Sequence, residues 1–398
     1  MAKISTDLEA RERNFKTIGY FTMFVALGLS AAVIGPTLPG LAEQTQTQLS
    51  QISILFTAHS LGYLVGSYIG GRFYDRIPGH PVLVGMLVAI AVALVITPVS
   101  TYLWLLTTAI FIAGVGGGGL DVGGNVMLAW THRRNVGPYM NGLHFFFGVG
   151  AFLTPIIIAQ AVLVTGSFKW GFWMIALMML PAAFWLLRYP SPTIISRQED
   201  SEPGTSDRLL ILLMITFFFL YVGGEASFGG WIFTYSLALD LASETSAAYL
   251  TSVFWGALMV GRLVSIPLAA RFRSSTLLWV DLIGCLLSIS MILVLPHSPI
   301  AIWAGTIGVG FFMASMFPTM MTLAERRLGL SGKITGLFLI GASLGGMTVP
   351  WIIGQLFEGV GPRVTMWVIL IVMSLTVGVF VLIQFKSSVK HQDVQSFQ

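Results

Sequence analysis

Charged residues are scarce in this sequence of 398 residues. Asp, Glu, Lys and Arg make up only 10% of it, whereas hydrophobic residues make up 55%. A soluble domain carries about 25% charged residues, and the mean hydropathy here is +0.83. The composition therefore excludes an ordinary water-soluble domain. It predicts an all-α membrane protein, because the alternating strands of a membrane β-barrel are not visible.

Cysteine is nearly absent, and sets of residues for catalysis or metal binding are missing. The single cysteine, Cys285, excludes a disulfide within the chain. The glycine run at 114–119 lies inside an apolar segment and does not follow a strand, so it is not a dinucleotide-binding motif. We therefore expect no metal site, no cofactor beyond a coupling ion and no enzymatic activity. The net charge of +4 rests on basic residues in short loops, so no nucleic acid is expected as a partner.

Long apolar runs dominate the rest of the chain. A membrane-spanning helix needs about 20 mostly apolar residues, and twelve runs meet this requirement. They are predicted near 17–40, 51–72, 80–100, 102–130, 139–164, 169–188, 209–238, 246–270, 274–295, 299–323, 332–357 and 364–385.

Lys and Arg are concentrated in alternate loops, which predicts the orientation of the chain. Basic residues in short loops mark the cytoplasmic side of a membrane. Nearly all of them flank the chain ends and the even-to-odd loops, whereas the opposite loops hold only Lys169 and Arg363. We therefore expect both termini to be cytoplasmic in a plasma (inner) membrane protein, with nothing that requires more than a monomer.

A polar linker at 189–208 divides the chain into two parts of six spans each. The predicted domains are an N-terminal six-helix bundle at 1–188 and a C-terminal bundle at 209–398. The linker is interpreted as a flexible cytoplasmic tether in preference to a hinge or gate.

The two halves resemble each other in sequence. The segment GVGGGGLDVGGNVMLAWTHRRNVGPYMNGL at 114–143 is echoed by GVGFFMASMFPTMMTLAERRLGLSGKITGL at 308–337. Parallel six-span repeats related about an axis along the membrane normal are the arrangement of the major facilitator superfamily. In that arrangement the substrate binds near the midplane, between halves that rock against each other.

The loop after span two reads GGRFYDRIPGHP at 70–81 and resembles a loop motif of the same superfamily. His80 stands where a basic residue is usual. The motif predicts a charge and helix-dipole latch that closes the cytoplasmic side, and the alternative is a basic loop that only sets topology. The predicted cytoplasmic gate comprises Gly71, Asp75, Arg76, Gly79, Arg133, Arg134, Arg262, Arg326 and Arg327.

Two acids lie within predicted spans. A charged group there costs about 3 kcal/mol on insertion scales, so it usually faces a water-filled cavity. Asp121 is in span four, and Asn125 lies one turn later on the same helix face. Both are predicted to couple a cation to transport, and Asn125 also to contact substrate. The alternative for Asp121 is a structural hydrogen bond to another span.

Glu225 in span seven belongs to a stripe with Tyr221, Trp231 and Tyr235 on one broad helix face. Such stripes more often serve packing, but an acid beside aromatic rings suits a sugar, which has apolar C–H faces and hydroxyls. These residues, with His144 and Trp255, are predicted to bind substrate. For His144, a hydrogen-bonded core role is an equal alternative. Arg262 is expected to fix the gate by pairing with an acid or a helix end.

Four segments resemble one subgroup of the superfamily. GGGLDVGGNVM, NGLHFFFGVGAFLTP, FLYVGGEASFGGWIFTY and SVFWGALMVGRL are similar to segments of the animal sodium-dependent glucose transporter 1 group and the superfamily domain-containing 4 proteins, and more distantly of fucose-type permeases. The resemblance implies a major facilitator fold and cation-coupled uptake of a hexose. Asp121, Asn125, His144 and Glu225 match the subgroup. The acid that fucose-type permeases carry in span one is absent here, which weakens transfer of their proton mechanism.

The sequence therefore predicts a secondary transporter that moves a monosaccharide by symport with Na⁺ or H⁺ through Asp121. An exporter of amphipathic compounds on the same fold is the alternative. A non-transporting membrane receptor or scaffold is a second alternative, disfavoured by the short polar tails.

Overall fold

A computed structural model describes residues 2–133, 136–192, 207–328 and 332–395 of the chain, and side chains within 11–133, 136–192, 207–328 and 334–386. The described residues form fifteen α-helices and a short 3₁₀ turn at 97–99. The helices are α1 Ala2–Ala31, α2 Ile34–Thr45, α3 Leu49–Ile52, α4 Ile54–Tyr74, α5 Gly79–Ile96, α6 Leu103–His132, α7 Gly137–Thr165, α8 Lys169–Leu187, α9 Arg208–Ala238, α10 Glu244–Arg271, α11 Ser274–Val294, α12 Pro299–Met313, α13 Met316–Leu328, α14 Gly332–Val360 and α15 Val364–Gln395.

Eleven of the spans in the described part of the chain are long and apolar enough to cross a membrane, and a twelfth arises if a bent pair is counted as one span. The prediction of an all-α fold with twelve transmembrane helices is thereby confirmed. The bent pair is span one, in which α1 and α2 meet at 44°. The break falls beside Ala32, and the residue four positions later is Pro36, which has no amide hydrogen to donate to the Ala32 carbonyl.

Span ten is also broken, between α12 and α13, at Ala314 and Ser315. The cause is the same, since Pro318 cannot donate to the carbonyl of Ala314 and its ring crowds that carbonyl. The predicted continuous runs at 17–40 and 299–323 are therefore each divided into two helices, although their positions agree with the prediction.

The helices α4 and α6 make the closest contact in the first half. A Cβ atom added to Gly118 of α6 would overlap the carbonyl oxygen of Tyr63, and one added to Gly66 of α4 would overlap the carbonyl oxygen of Val115. Small residues let two membrane helices approach until their backbones touch. This approach brings Tyr63 beside the polar residues of span four.

Hydrogen bonds between the two halves in the described chain lie toward one end of the molecule. We call the end with the loops after α4, α6, α10 and α13 the basic end, because those loops and the last turns of the helices before them carry eight of the fifteen arginines. We call the other end the opposite end. Glu358 of α14 accepts hydrogen bonds from the Leu49 amide at 2.8 Å and the Ser50 hydroxyl at 3.1 Å. Gln355 donates to the Ser50 carbonyl at 2.6 Å.

Further contacts extend this closure toward the middle of the spans. Gln160 donates to the Tyr249 hydroxyl at 2.7 Å, and the rings of Phe56 and Trp231 lie 5.9 Å apart. Thr57 donates to the Met347 carbonyl at 3.3 Å. All of these contacts between the first six spans and the last six lie in the half of the spans near the opposite end. The halves are therefore joined at that end.

Large apolar side chains cover the outside of the bundle. Trp104 is 68% exposed, Leu177 64%, Leu287 67% and Leu375 54%. In water these side chains would be unfavourable, but hydrocarbon solvates them. The protein is therefore a multi-pass membrane protein.

Candidate functional site

Asp121 lies at the centre of a small polar cluster between α4 and α6. The Tyr63 hydroxyl donates to its Oδ2 at 2.5 Å. Asn125 Nδ2 donates to the Asp121 carbonyl at 2.8 Å and to Oδ1 at 3.1 Å. All three residues are half-buried, so the cluster has an open side. The predicted proximity of Asp121 and Asn125 is thus present, and Tyr63 adds a partner from another span.

His144 of α7 faces the same space. It is exposed although it lies well inside span five, and its ring meets that of Phe24 edge-on at 5.9 Å. Asp121 and Arg262 both lie within electrostatic range of its ring. Since these two residues belong to different halves, the exposed ring borders the space between the halves.

Glu225 and Tyr221 form the matching polar pair in the second half. They are one turn apart on α9, and the Tyr221 hydroxyl donates to the Glu225 carboxylate. The same hydroxyl lies 3.2 Å from the Met313 carbonyl. Glu225 is half-buried, whereas Tyr221 is buried. Arg262 acts electrostatically on both.

Trp231 and Tyr235 lie away from this open space. Trp231 is fully buried, its indole donates to the Pro350 carbonyl at 3.1 Å, and its ring stacks on Phe357. Tyr235 is also fully buried. Both lie where the halves are joined, so in this conformation they pack helices together. Their predicted role in substrate binding stays a prediction.

Trp255 of α10 is closer to the centre. It is half-buried, its ring lies against Phe254, and its buried indole nitrogen has no hydrogen-bond partner among the described residues. A buried donor left unpaired costs about 1–3 kcal/mol. The Trp255 indole N–H can therefore donate a hydrogen bond to another group.

The latch residues after α4 form no ion pair with the part of the chain that the structure describes. Asp75 and Arg76 are exposed, and the ion pairs within the described ranges are Lys16–Glu12 at 2.7 Å and Lys386–Asp207 at 2.9 Å. Gly71 has open space at its Cβ position, whereas a Cβ at Gly79 would overlap the Met127 side chain.

The remaining predicted gate residues have different surroundings. Arg133 and Arg326 are exposed, and Arg134 lies outside the described residues, as does most of the linker. Arg327 donates to the Ile383 carbonyl at 2.9 Å and to Gln384 Oε1 at 2.7 Å, which ties α13 to α15. Arg262 lies with the central polar residues, and its half-buried guanidinium forms no ion pair within 4.0 Å there.

His80 holds the start of the linker and does not act as a free basic residue. Its Nε2 lies 2.9 Å from the Tyr20 hydroxyl and its Nδ1 lies 2.8 Å from the Tyr189 carbonyl. Its amide donates to Ser191 Oγ at 2.9 Å. The residue at this motif position is therefore buried and hydrogen-bonded to the start of the linker, unlike an exposed basic residue.

Sequence reasoning missed two polar residues. No local sequence pattern singles out Tyr63, because its partner, Asp121, lies 58 residues later. Asp281 is a third acid within a span, in the run TLLWVDLIGC, and the rule that singled out Asp121 and Glu225 also applies to it. It is buried, at 9% exposure, and accepts a hydrogen bond from Ser315.

Comparison with known proteins places this chain in a family. The sodium-dependent glucose transporter 1 of Xenopus laevis is 31% identical over 365 residues, which cover 84% of this chain and 74% of that protein. The Homo sapiens protein of the same name is 31% identical over 375 residues, covering 84% of this chain and 72% of the relative. The Major facilitator superfamily domain-containing protein 4A of Danio rerio is 26% identical, with 87% and 83% covered.

Solved structures share the fold at low sequence identity. A mutant of the nucleoside transporter NupG superposes with a TM-score of 0.76 at 12% identity, covering 94% of this chain and 98% of that one. A bacterial homolog to the human lysosomal transporter Spinster, in an inward-facing and occupied conformation, gives a TM-score of 0.74 at 12% identity, covering 94% and 97%. A family model described as Major Facilitator Superfamily matches residues 20–350 of this chain. The chain belongs to that superfamily of transporters.

Proposed function

We propose that this chain is a secondary active transporter that carries a monosaccharide of the hexose class, coupled to a monovalent cation that binds at Asp121. The observation that carries the proposal is the half-buried Asp121 carboxylate, which lies in the middle of a span with an open side. Its hydrogen-bond partners in the described chain are the neutral groups of Tyr63 and Asn125.

The chemistry of the cluster suits a hard cation. A carboxylate offers about four lone-pair sites, and here two donors occupy one site on each oxygen. The remaining sites, together with the Tyr63 hydroxyl oxygen and the Asn125 amide oxygen, are oxygen ligands of the kind that hard cations prefer. The names of the relatives favour sodium as the first ion to test, and a proton at Asp121 is the alternative.

A sugar would lie between the cluster and the polar pair of the second half. Glu225 and Tyr221 can accept and donate hydrogen bonds to hydroxyls, and His144 and Trp255 add donors beside aromatic surface. Binding sites of this kind combine aromatic walls with a few placed polar groups. Since Trp231 and Tyr235 are buried, they would contact the sugar only in a conformation that separates the halves at the opposite end.

The distribution of basic residues supports an orientation. If the basic end is cytoplasmic, both termini are cytoplasmic, and the site opens toward the cytoplasm while the opposite end is closed. The disengaged Asp75 and Arg76 fit that state, since a latch on the cytoplasmic side would engage only when the halves close there. We propose that the protein acts as a monomer in a plasma (inner) membrane.

Uptake by proteoliposomes tests the proposal. Labelled glucose, galactose and fucose would be offered under an imposed sodium gradient and, separately, an imposed pH gradient. We expect one gradient to drive accumulation of at least one sugar in the wild type. Asp121→Asn should abolish accumulation, and Asp240→Asn, which removes an exposed acid at the opposite end, should not.

Two results would contradict the proposal. Transport by Asp121→Asn with unchanged rate and ion dependence would exclude a coupling role for Asp121. Absence of sugar uptake under both gradients, with efflux of amphipathic compounds from loaded vesicles, would favour the exporter instead.

A further inference from the structure

The second half contains a buried acid for which the proposed transport cycle has no role. Asp281 lies on α11, which packs against α12, α13 and α15, and only 9% of it is exposed. Its hydrogen-bond partner is the Ser315 hydroxyl. No Lys, Arg or His lies within 4.0 Å of it among the described residues, because the ion pairs there are Lys16–Glu12 and Lys386–Asp207.

A buried carboxylate with one neutral donor is an unfavourable arrangement. Burying an ion costs several kcal/mol even after the protein relaxes, and the cost is offset only by a countercharge or several hydrogen bonds. Asp281 has neither in the described chain. A carboxyl group with a proton attached carries no charge and avoids this cost, and it needs only one acceptor for its O–H besides the bond it accepts.

Ser315, the hydrogen-bond partner of Asp281, lies where the helix of span ten is interrupted. Ser315 lies in the break between α12 and α13, which Pro318 causes. Counted from Gly114 and Gly308, the repeat pairs Ser315 with Asp121. The second half therefore has a hydroxyl at the position that holds an acid in the first half, and its acid comes from the neighbouring span.

Tyr221 links this pair to the central site. Its hydroxyl lies 3.2 Å from the Met313 carbonyl, two residues before Ser315, and also donates to Glu225. The single hydroxyl hydrogen can serve only one of these acceptors at a time. Tyr221 on α9 and Cys285 on the same helix are titratable groups within electrostatic range of Asp281. Glu225 and Arg262 act on Tyr221 in turn.

We propose that Asp281 is a proton-binding site of the second half, separate from Asp121. In this conformation Asp281 holds a proton, and it exchanges that proton with water when span ten changes shape at its break. The proton comes from solvent and binds one carboxylate oxygen, while Ser315 donates to the other. Release leaves a carboxylate, which requires water or a cation to reach α11. Only the connection between this site and sugar binding, through Tyr221, rests on the proposed function.

Infrared difference spectroscopy on the purified full-length protein tests this site without sugar or an ion gradient. A protonated carboxyl has a C=O stretching band that its carboxylate lacks, so spectra would be compared across a pH titration. We expect a band that is lost in Asp281→Asn and kept in Asp121→Asn and Asp240→Asn. Ser315→Ala should shift the band to higher frequency, because it removes a hydrogen bond to the group.

Thermal unfolding provides a second readout. Asparagine has the shape of a neutral aspartic acid, so Asp281→Asn should unfold within a few degrees of the wild type. The proposal is overturned if the spectra of wild type and Asp281→Asn coincide at every pH, if Ser315→Ala leaves the band unmoved, or if Asp281→Asn alone fails to fold. Failure of sugar uptake would leave these spectra unchanged, so this proposal and the transport proposal fail separately.

Discussion

Tyr63 shows how much of the site depends on a single side chain from another helix. Its hydroxyl is the one donor to Oδ2 of Asp121 in the described chain, at 2.5 Å. A hydrogen bond to a charged group contributes about 1.5–3 kcal/mol. Because the Tyr63 oxygen is among the proposed cation ligands and about 1.4 kcal/mol corresponds to a factor of ten in affinity, Tyr63→Phe should raise the half-saturating cation concentration of transport roughly tenfold without changing which sugar is carried.

Tyr68→Phe is the matched control for this prediction, since Tyr68 lies on the same helix and is 62% exposed. Both variants would be compared in uptake assays at graded cation concentrations. Equal cation dependence in Tyr63→Phe and wild type would show that the hydroxyl does not contribute to cation binding at the proposed Asp121 site.

The contrast between Asn125 and Tyr63 shows which residues of the site could be predicted. Asn125 lies one turn from Asp121 on the same helix, and helical spacing alone brings them together. Tyr63 depends on the register of two helices, and glycine contacts between α4 and α6 set that register. Asp281 could have been found by the rule for buried acids, but its partner Ser315 depends on packing.

At the scale of the helix, contact between α4 and α6 fixes the geometry of the Asp121 cluster. A Cβ at Gly118 would overlap the Tyr63 carbonyl, whereas the Cβ position at Gly85 of α5 is open. Glycine to alanine in a helix gains about 1 kcal/mol from backbone propensity, and overpacking costs about 1–3 kcal/mol. Gly118→Ala should therefore unfold at a lower temperature than Gly85→Ala.

Thermal unfolding of the two purified variants with and without sodium checks this prediction. Gly118→Ala should also show a smaller stabilisation by sodium, because separating the helices moves the Tyr63 hydroxyl away from Asp121. An unfolding temperature at or above that of Gly85→Ala would mean that the helices separate without cost.

The same scale shows the limit of span prediction. Apolar length located all twelve runs, because hydrocarbon thickness sets the length of a spanning helix. It could not show the breaks in spans one and ten, because a hydropathy window is insensitive to a missing amide hydrogen. Pro36 and Pro318 are the local signals for these breaks, and each lies four residues after the carbonyl that it leaves without its helical donor.

For the whole molecule, hydrogen bonds at the opposite end stabilise the conformation in which that end is closed. Glu358 joins the halves through the Leu49 amide and the Ser50 hydroxyl, and Gln355 adds a bond to the Ser50 carbonyl. These bonds must break before the halves can separate at that end. Each contributes about 1 kcal/mol, so they bias the equilibrium between two states whose energies differ by only a few kcal/mol.

Glu358→Ala should therefore raise the population that is open at the opposite end. Loss of two bonds of about 1 kcal/mol each corresponds to a shift of roughly tenfold or more in the population ratio. Spin labels on Tyr102→Cys and Val360→Cys would report the distance between the halves at that end. Cys285 is fully buried, and Cys285→Ala would provide a cysteine-free background.

A second label pair, on Ile77→Cys and Phe272→Cys, would follow the basic end, where both native side chains are exposed. We expect the distance at the opposite end to lengthen in Glu358→Ala while the distance at the basic end shortens, because in the proposed transport cycle the halves rock as rigid bodies about the site between them. Asp240→Asn, which removes an acid at the same end without touching the other half, should leave both distances as in the wild type. Lengthening at one end without shortening at the other would mean that Glu358 orders only the short helix α3, and that the Asp121 cluster is exposed by a motion other than rocking.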